Sequence, residues 1–339
     1  MSFPGVSRLL LVLFAASFGA LVWAQDKTTL PAEVNETATT KDGVPIQMTY
    51  YASVQGKESP VLILLHERDG SRFIWQGDNG FAKMMQNKGY AVITVDLRGH
   101  GESRPRGSSL PGGNANQTDT RKSTTGSKKK EPATAKKTGK AAATAEFAKG
   151  DYQAMILMDL EAVKKFVFDE HQKQMLNMNK IGIVGVEMSA CLAANWAAYD
   201  WEKEPHPDGV GNARTPRGQD VRALVLVSPT SNLPGLPISK PLNELRSEPF
   251  NIAFYVAVGK GDTKDKGQAK KIFDQLTVLP NAAKRMYFDE FPGTLHGTQL
   301  LGKPTIKLEE RMGAFFDTHL KTLPSSWIDR RSKLNRSDN

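Results

Sequence analysis

The segment from Ile181 to Ala198, IGIVGVEMSACLAANWAA, places an ionisable side chain at a point where chemistry can be done. It predicts a buried strand that runs into a helix of small residues through the turn Gly185 to Ser189. A turn of this shape usually holds a serine at its centre, where the hydroxyl can act as a nucleophile. Here the central residue is Glu187, so the turn offers a carboxylate instead of a hydroxyl.

Metal and cofactor chemistry find little support in the sequence. No pair of histidines has metal-ligand spacing, and no glycine-rich phosphate loop opens a helix. We therefore predict neither a metal nor a cofactor. His171 and His206 lie in polar stretches and are expected to be exposed. Cys191 is the single cysteine, so no intrachain disulfide can form, and it is expected to be a small buried side chain.

The N-terminus has the composition of an export signal. Arg8 precedes an apolar run from Leu9 to Trp23, and small residues, Val22 and Ala24, suit the cleavage positions before Gln25. We predict a signal peptide over residues 1–24, a linker over 25–40, and a location in the periplasm, in the cell envelope or outside the cell. Retention of the run as a membrane anchor is the alternative.

The formal net charge of +9 is concentrated in one segment. Residues 104–149 carry eleven Lys and Arg against three acids, which is +8 and leaves about +1 for the rest. This segment is rich in Gly, Ser, Thr and Lys and has almost no apolar anchors, which is typical of disorder. We predict a disordered insertion that is either a solvated loop or a contact for an anionic polymer or surface. No specific nucleic acid is predicted.

Strand-like and helix-like segments alternate on both sides of the insertion, over residues 41–321. Pro60 to His66 is a continuous apolar run, typical of a strand buried on both faces, and a helical stretch separates it from the next strand. Such alternation predicts right-handed crossovers and a parallel sheet. We expect an α/β domain with roughly eight strands, the last six mostly parallel, helices on both faces, and a C-terminal tail over residues 322–339.

Five short motifs in this order resemble the α/β-hydrolase fold. They are Leu64-Leu65-His66, DLRGHGES at Asp96 to Ser103, the turn at Gly185 to Ser189, GKGD at Gly259 to Asp262, and GTLHG at Gly293 to Gly297. The resemblance covers about Lys41 to Lys321 and implies a single domain. The segment that would form the cap, Thr230 to Pro249, is short.

The resemblance also implies a set of site residues. Glu187 falls at the nucleophile position, Asp262 matches the acid, and His296 matches the general base. The oxyanion-hole donors would come from Met188 and from the loop at Glu67, where a glycine often stands. Acyl transfer develops negative charge here, so two carboxylates would oppose it unless cations compensate. The candidates for those cations are Arg68, Arg72 and Arg98.

Three hypotheses for Glu187 follow. In the first, the protein is a pseudo-hydrolase that binds a small molecule or a partner, and Glu187 pairs with His296. In the second, Glu187 is a carboxylate nucleophile, as aspartate is in dehalogenases and epoxide hydrolases of this fold, and His296 with Asp262 activates water. In the third, Ser189 or Cys191 is the nucleophile of a secreted hydrolase of ester-like substrates, although Ser189 also suits the turn as a small residue.

Overall fold

The structure is a computed structural model that describes residues 29–104, 147–280 and 282–336. The predicted signal peptide and nearly all of the predicted insertion lie outside these residues. Within the described ranges, no helix is both long enough and apolar enough to cross a bilayer.

One sheet of eight strands runs through the described part of the chain. Its strands are β1 (Val34–Thr39), β2 (Pro45–Tyr51), β3 (Val61–Leu65), β4 (Ala91–Val95), β5 (Ile181–Val186), β6 (Val221–Val227), β9 (Ala253–Gly259) and β10 (Met286–Phe291), and a small hairpin adds β7 (Asn232–Leu233) and β8 (Leu236–Pro237). The spatial order is β1-β2-β4-β3-β5-β6-β9-β10. The β1-β2 and β2-β4 pairs are antiparallel and the other pairs are parallel, which confirms the predicted sheet.

Helices cover both faces of the sheet. Those in the described residues are α1 (Phe81–Asn87), α2 (Lys149–Ala154), α3 (Leu160–Gln172), α4 (Met188–Glu202), α5 (Ser239–Leu245), α6 (Gln268–Leu276) and α7 (Leu308–Phe316). A π-helical turn, Met155–Asp159, joins α2 to α3, and another, Asp317–Lys321, extends α7.

Burial on both faces of the sheet explains why the sequence of β3 is apolar throughout. All five residues of β3 are fully buried, and successive side chains of a strand point to opposite faces. Val61, Ile63 and Leu65 join an apolar cluster with α3, α4, α5 and α6. Leu62 and Leu64 join a second cluster with α1 and α7. The sheet therefore has a core on each side, as the α/β pattern predicts.

The segment between β6 and β9 is short. The intervening segment holds the β7-β8 hairpin and α5, a helix of seven residues. This agrees with the minimal cap expected from the sequence.

Two of the predicted segment boundaries are wrong. The predicted linker contains β1, whose polar sequence VNETAT gave no strand signal because it is a mostly exposed edge strand. The predicted insertion ends too late, because Phe147 is buried and Lys149 begins α2. Phe147 stacks on His100 with ring centroids 5.0 Å apart and lies 5.9 Å from the Tyr152 ring, so it anchors the chain where it re-enters the domain.

The described part of the predicted tail, residues 322–336, packs against the domain. Trp327 stacks on His171 and donates its indole N–H to the His171 carbonyl at 2.8 Å. His171 is fully buried, so the expectation that it is exposed is wrong. Arg330 is 3% exposed and donates to Asn179 and to the Asp220 carboxylate. The Trp327–His171 and Arg330–Asp220 contacts join residues that are far apart in sequence, so a local polar pattern does not reveal them.

Candidate active site

The turn between β5 and α4 holds Glu187 at a positive φ. Its φ is 54° and its ψ is −113°, which is unusual for a residue with a side chain. Glu187 donates its amide N–H to Val227 and its carbonyl accepts from Thr230, so both sides of the turn are anchored. A Cβ on Gly185 would lie 2.5 Å from the Ser189 carbonyl oxygen. Glycine is required at that position because the backbone turns back on itself there.

Asp262 and His296 form a hydrogen-bonded pair beside this turn. Asp262 follows β9, and its Oδ1 accepts backbone N–H groups of Lys264 and Asp265 at 2.9 and 3.3 Å. His296 follows β10 and donates from Nδ1 to Asp262 Oδ2 at 2.6 Å. This contact directs the other ring nitrogen, Nε2, toward Glu187, whose Oε1 is 3.7 Å away. Nε2 is buried without a hydrogen-bond partner in the described residues.

The second oxygen of Glu187 contacts the loop after β3. The backbone N–H of Arg68 donates to Glu187 Oε2 at 3.2 Å. Met188 is the first residue of α4, so its N–H is one of the helix-terminal donors without an intrahelical acceptor. The structure therefore brings together Glu187, Asp262, His296 and Met188 at the carboxyl edge of the sheet.

The position of Glu67 corrects the expected oxyanion donor. In the loop after β3, the amide that reaches Glu187 belongs to Arg68, one residue later. The Glu67 carboxylate instead accepts the Thr298 N–H at 3.0 Å and the Thr298 hydroxyl at 2.5 Å. Glu67 thus ties the loop after β3 to the loop that carries His296. Nothing in the local sequence indicates Thr298 as its partner.

Of the three candidate cations, Arg68 contacts Glu187, and it does so through its backbone N–H. Its guanidinium donates to the Tyr152 hydroxyl at 2.6 Å. Arg72 forms its ion pairs with Asp96 and Glu102. Arg98 likewise forms ion pairs elsewhere, with Asp42 at 2.8 Å and Asp159 at 2.7 Å. The sequence could not place these side chains because each partner lies far away along the chain.

The alternative nucleophiles are both buried. Ser189 Oγ donates to the Val186 carbonyl at 3.0 Å and accepts the Val186 N–H at 2.8 Å, so the hydroxyl closes the turn. Cys191 donates to the Leu236 carbonyl, and burial raises the pKa of its thiol to about 12. A nucleophile must reach its substrate, and a thiol must ionise to attack. The geometry gives neither residue that role.

His66 contacts the site only through the backbone. Its ring accepts the Leu97 N–H at Nε2, and its Nδ1 donates to the Glu67 carbonyl at 2.7 Å. Burial lowers the pKa of His66 to about 4, so the ring is neutral at pH 7. The described residues contain no group of three or more His, Cys, Asp or Glu placed to hold a metal ion.

Comparisons with known proteins establish the fold. No protein-family model and no curated protein matches the sequence. Among solved structures, a dienelactone hydrolase from Anabaena variabilis has a TM-score of 0.51 at 13% identity, with 86% of this chain and 100% of that chain covered. An esterase from Pyrococcus furiosus has a TM-score of 0.51 at 14% identity, with coverages of 85% and 91%. The chain has the α/β-hydrolase fold.

Proposed function

We propose that this protein is an exported pseudo-hydrolase, which keeps the acid and base of a hydrolase site but has Glu187 in place of the serine nucleophile. It would use this site to bind a small molecule or a partner protein. The observation that carries the proposal is the hydrogen bond from the Arg68 amide to Glu187 Oε2. A donor suited to an oxyanion is engaged by a carboxylate of the protein itself.

Two energetic arguments favour loss of serine-type acyl transfer. Removing a serine nucleophile costs on the order of a millionfold in turnover. In addition, a fixed carboxylate repels the oxyanion of an acyl-transfer intermediate. At a separation of about 4 Å and an effective dielectric of about 20, that repulsion is roughly 4 kcal/mol. A water molecule activated by His296 would meet the same repulsion.

The test of this proposal is ester hydrolysis by the wild-type protein and by His296→Ala. A panel of 4-nitrophenyl esters with short and long acyl chains gives a direct optical readout. We expect both proteins to hydrolyse every ester at the buffer rate. A wild-type rate well above buffer that disappears in His296→Ala would overturn the proposal, because it would show that the base still works on a substrate.

The arrangement of the two Glu187 oxygens favours a second candidate, a hydrolase with a carboxylate nucleophile. One oxygen accepts the Arg68 amide, and the other lies 3.7 Å from His296 Nε2. In such a mechanism the first oxygen stays in the oxyanion hole while the second attacks, and His296 then activates water against the ester.

Isotope labelling separates this candidate from the pseudo-hydrolase. A substrate with a displaceable halide or an epoxide is incubated with the protein in ¹⁸O-labelled water, and the peptide containing Glu187 is examined by mass spectrometry. Incorporation of ¹⁸O into that peptide would establish an ester intermediate. Glu187→Gln is the matched control, since it keeps the size of the side chain and removes the nucleophile.

The proposal also includes export and contact with a polyanion. Export rests on the signal-like composition of residues 1–24, and the polyanion contact rests on the positive charge of residues 104–149. The protein would act in the periplasm, in the envelope or outside the cell. Cell fractionation combined with N-terminal sequencing tests export, with a mature terminus at Gln25 as the expected result. Binding to a heparin column that weakens when residues 105–146 are deleted would support the polyanion contact.

A further inference from the structure

A cavity of about 360 Å³ on another part of the molecule has six Lys and Arg among its fifteen lining residues. It follows α3 and meets the C-terminal end of α4. Its cations are Lys41, Lys164, Lys165, Lys203, Arg217 and Arg330. Among the described residues that line it, the acidic one is Glu161. When the acids paired with these cations, Asp169, Asp200 and Asp220, are counted with Glu161, six cations face four acids, which is an excess of two positive charges.

Four of these cations are paired with acids that lie behind or beside them, and one of the four is Lys165, whose partner is Asp169 at 2.6 Å. Lys164 forms an ion pair with Asp220 at 2.7 Å, and Arg330 shares the same carboxylate. Lys203 contacts Glu161 at 2.6 Å. The side chains of Lys164, Lys203 and Arg330 are 8%, 15% and 2% exposed. Such pairing fixes the ammonium and guanidinium groups in a partly dehydrated wall, where an anion interacts more strongly than it does in water.

Positive charge in the cavity is not fully compensated. Lys41 and Arg217 are exposed, and neither side chain has an ion pair or hydrogen bond with any residue that the structure describes. Burial, and next the charge of Lys164, lower the pKa of the Lys203 ammonium from its ordinary value although Glu161 is adjacent. An anion bound in the cavity would relieve this repulsion.

The remaining wall suits an apolar group. Met158, Phe168, Met178 and Tyr199 line the same cavity, and Phe168 and Tyr199 offer ring surfaces. A volume of about 360 Å³ lies in the range of small-molecule pockets, which is roughly 300–1,000 Å³. An inorganic anion alone would leave this apolar surface unused.

We infer that this cavity binds a small organic anion, a phosphate monoester or a carboxylate joined to an apolar body. The site is separate from Glu187. Glu187 precedes α4 and Lys203 follows it, so sixteen residue steps at about 1.5 Å each place them roughly 24 Å apart along the helix. The inference therefore does not depend on whether Glu187 is catalytic.

Calorimetric titration of the full chain with phenyl phosphate tests the inference, with benzoate and inorganic phosphate as comparison probes. The variants are Arg217→Glu and Lys41→Glu, which remove no contact within the described residues. Lys57→Glu is the matched control, because Lys57 is an exposed lysine that does not line the cavity. Thermal melts establish that all three variants are folded.

The expected result is saturable binding of phenyl phosphate or benzoate, tighter than that of inorganic phosphate. Arg217→Glu and Lys41→Glu should each weaken it about tenfold, and Lys57→Glu should leave it unchanged. The headgroup of the tighter probe identifies the ligand class. The inference is overturned if neither organic probe saturates the wild-type protein, if inorganic phosphate binds as well as phenyl phosphate, or if all variants bind equally.

Discussion

Replacement of Glu187 by serine should create esterase activity. The change removes the carboxylate that accepts the Arg68 amide and puts a hydroxyl at the centre of the turn. The Asp262–His296 pair is already formed, with Nδ1 of His296 bonded to the carboxylate at 2.6 Å and Nε2 directed toward position 187. The new hydroxyl would therefore meet a base in the tautomer that accepts its proton.

The size of the gain can be worked from the groups that are in place. One oxyanion donor contributes about 10²–10³-fold to turnover, and a positioned general base contributes about 10²–10⁴-fold. We take the lower figures, because the Arg68 amide lies 3.2 Å from Glu187 Oε2 and His296 Nε2 lies 3.7 Å from Glu187 Oε1, and both distances are long. Their product is roughly 10⁴-fold over wild type, which lowers the barrier by about 5 kcal/mol.

Initial rates on 4-nitrophenyl acetate measure this gain. Glu187→Ala separates loss of the carboxylate from gain of the hydroxyl, and we expect it to stay at the wild-type rate. Glu187→Ser combined with His296→Ala should lose most of the gain. The reasoning is refuted if folded Glu187→Ser is no faster than Glu187→Ala, or if the double variant is as fast as Glu187→Ser.

Three further predictions concern stability. Burial lowers the pKa of His66 from 6.5 to about 4, so the unfolded chain takes up a proton at this residue that the folded protein does not. The contribution of His66 to the free energy of unfolding is therefore full above pH 6.5 and falls by roughly 3 kcal/mol toward pH 4. His66→Gln should reduce the pH dependence of stability measured by urea unfolding. Arg330→Ala should cost about 3 kcal/mol in the free energy of unfolding, because it removes one of the two cations paired with the buried Asp220 carboxylate and leaves Lys164 as the other. Exposed Arg331→Ala should cost under about 1 kcal/mol, and equal losses would contradict the burial argument. Gly185→Ala should destabilise by about 1–3 kcal/mol, since its Cβ would overlap the backbone, and Gly150→Ala, with open space at the Cβ, should not lower the melting temperature.

The sheet could be predicted from the sequence because its strands carry their own signal. β3, β4 and β5 are fully buried apolar runs, and helices at ordinary lengths separate them. β1 was missed because an edge strand with mostly exposed residues needs no apolar pattern. The sequence does not predict the packing of residues 322–336, because an arginine is expected at the surface. Arg330 is buried because it pairs with Asp220, which is 110 residues away in the chain.

The candidate site could be predicted only in part from the sequence. Motif order alone indicated which residues follow β5, β9 and β10, and the structure places Glu187, Asp262 and His296 together at one edge. Which amide faces Glu187 depends on how the loop after β3 turns, and Arg68 could not be chosen over Glu67 from residue types. The Glu67–Thr298 contact joins residues 231 positions apart, a separation at which no local pattern carries information.

The hydrogen bonds of the Ser189 hydroxyl have a practical consequence for the detection of this protein in a proteome. Fluorophosphonate reagents label serine hydrolases by reacting with the activated hydroxyl at the elbow. In this chain the elbow presents a carboxylate, and the nearby hydroxyl both donates to and accepts from Val186. Activity-based profiling of a proteome with these reagents would therefore pass over this protein, although its fold belongs with the enzymes that they detect.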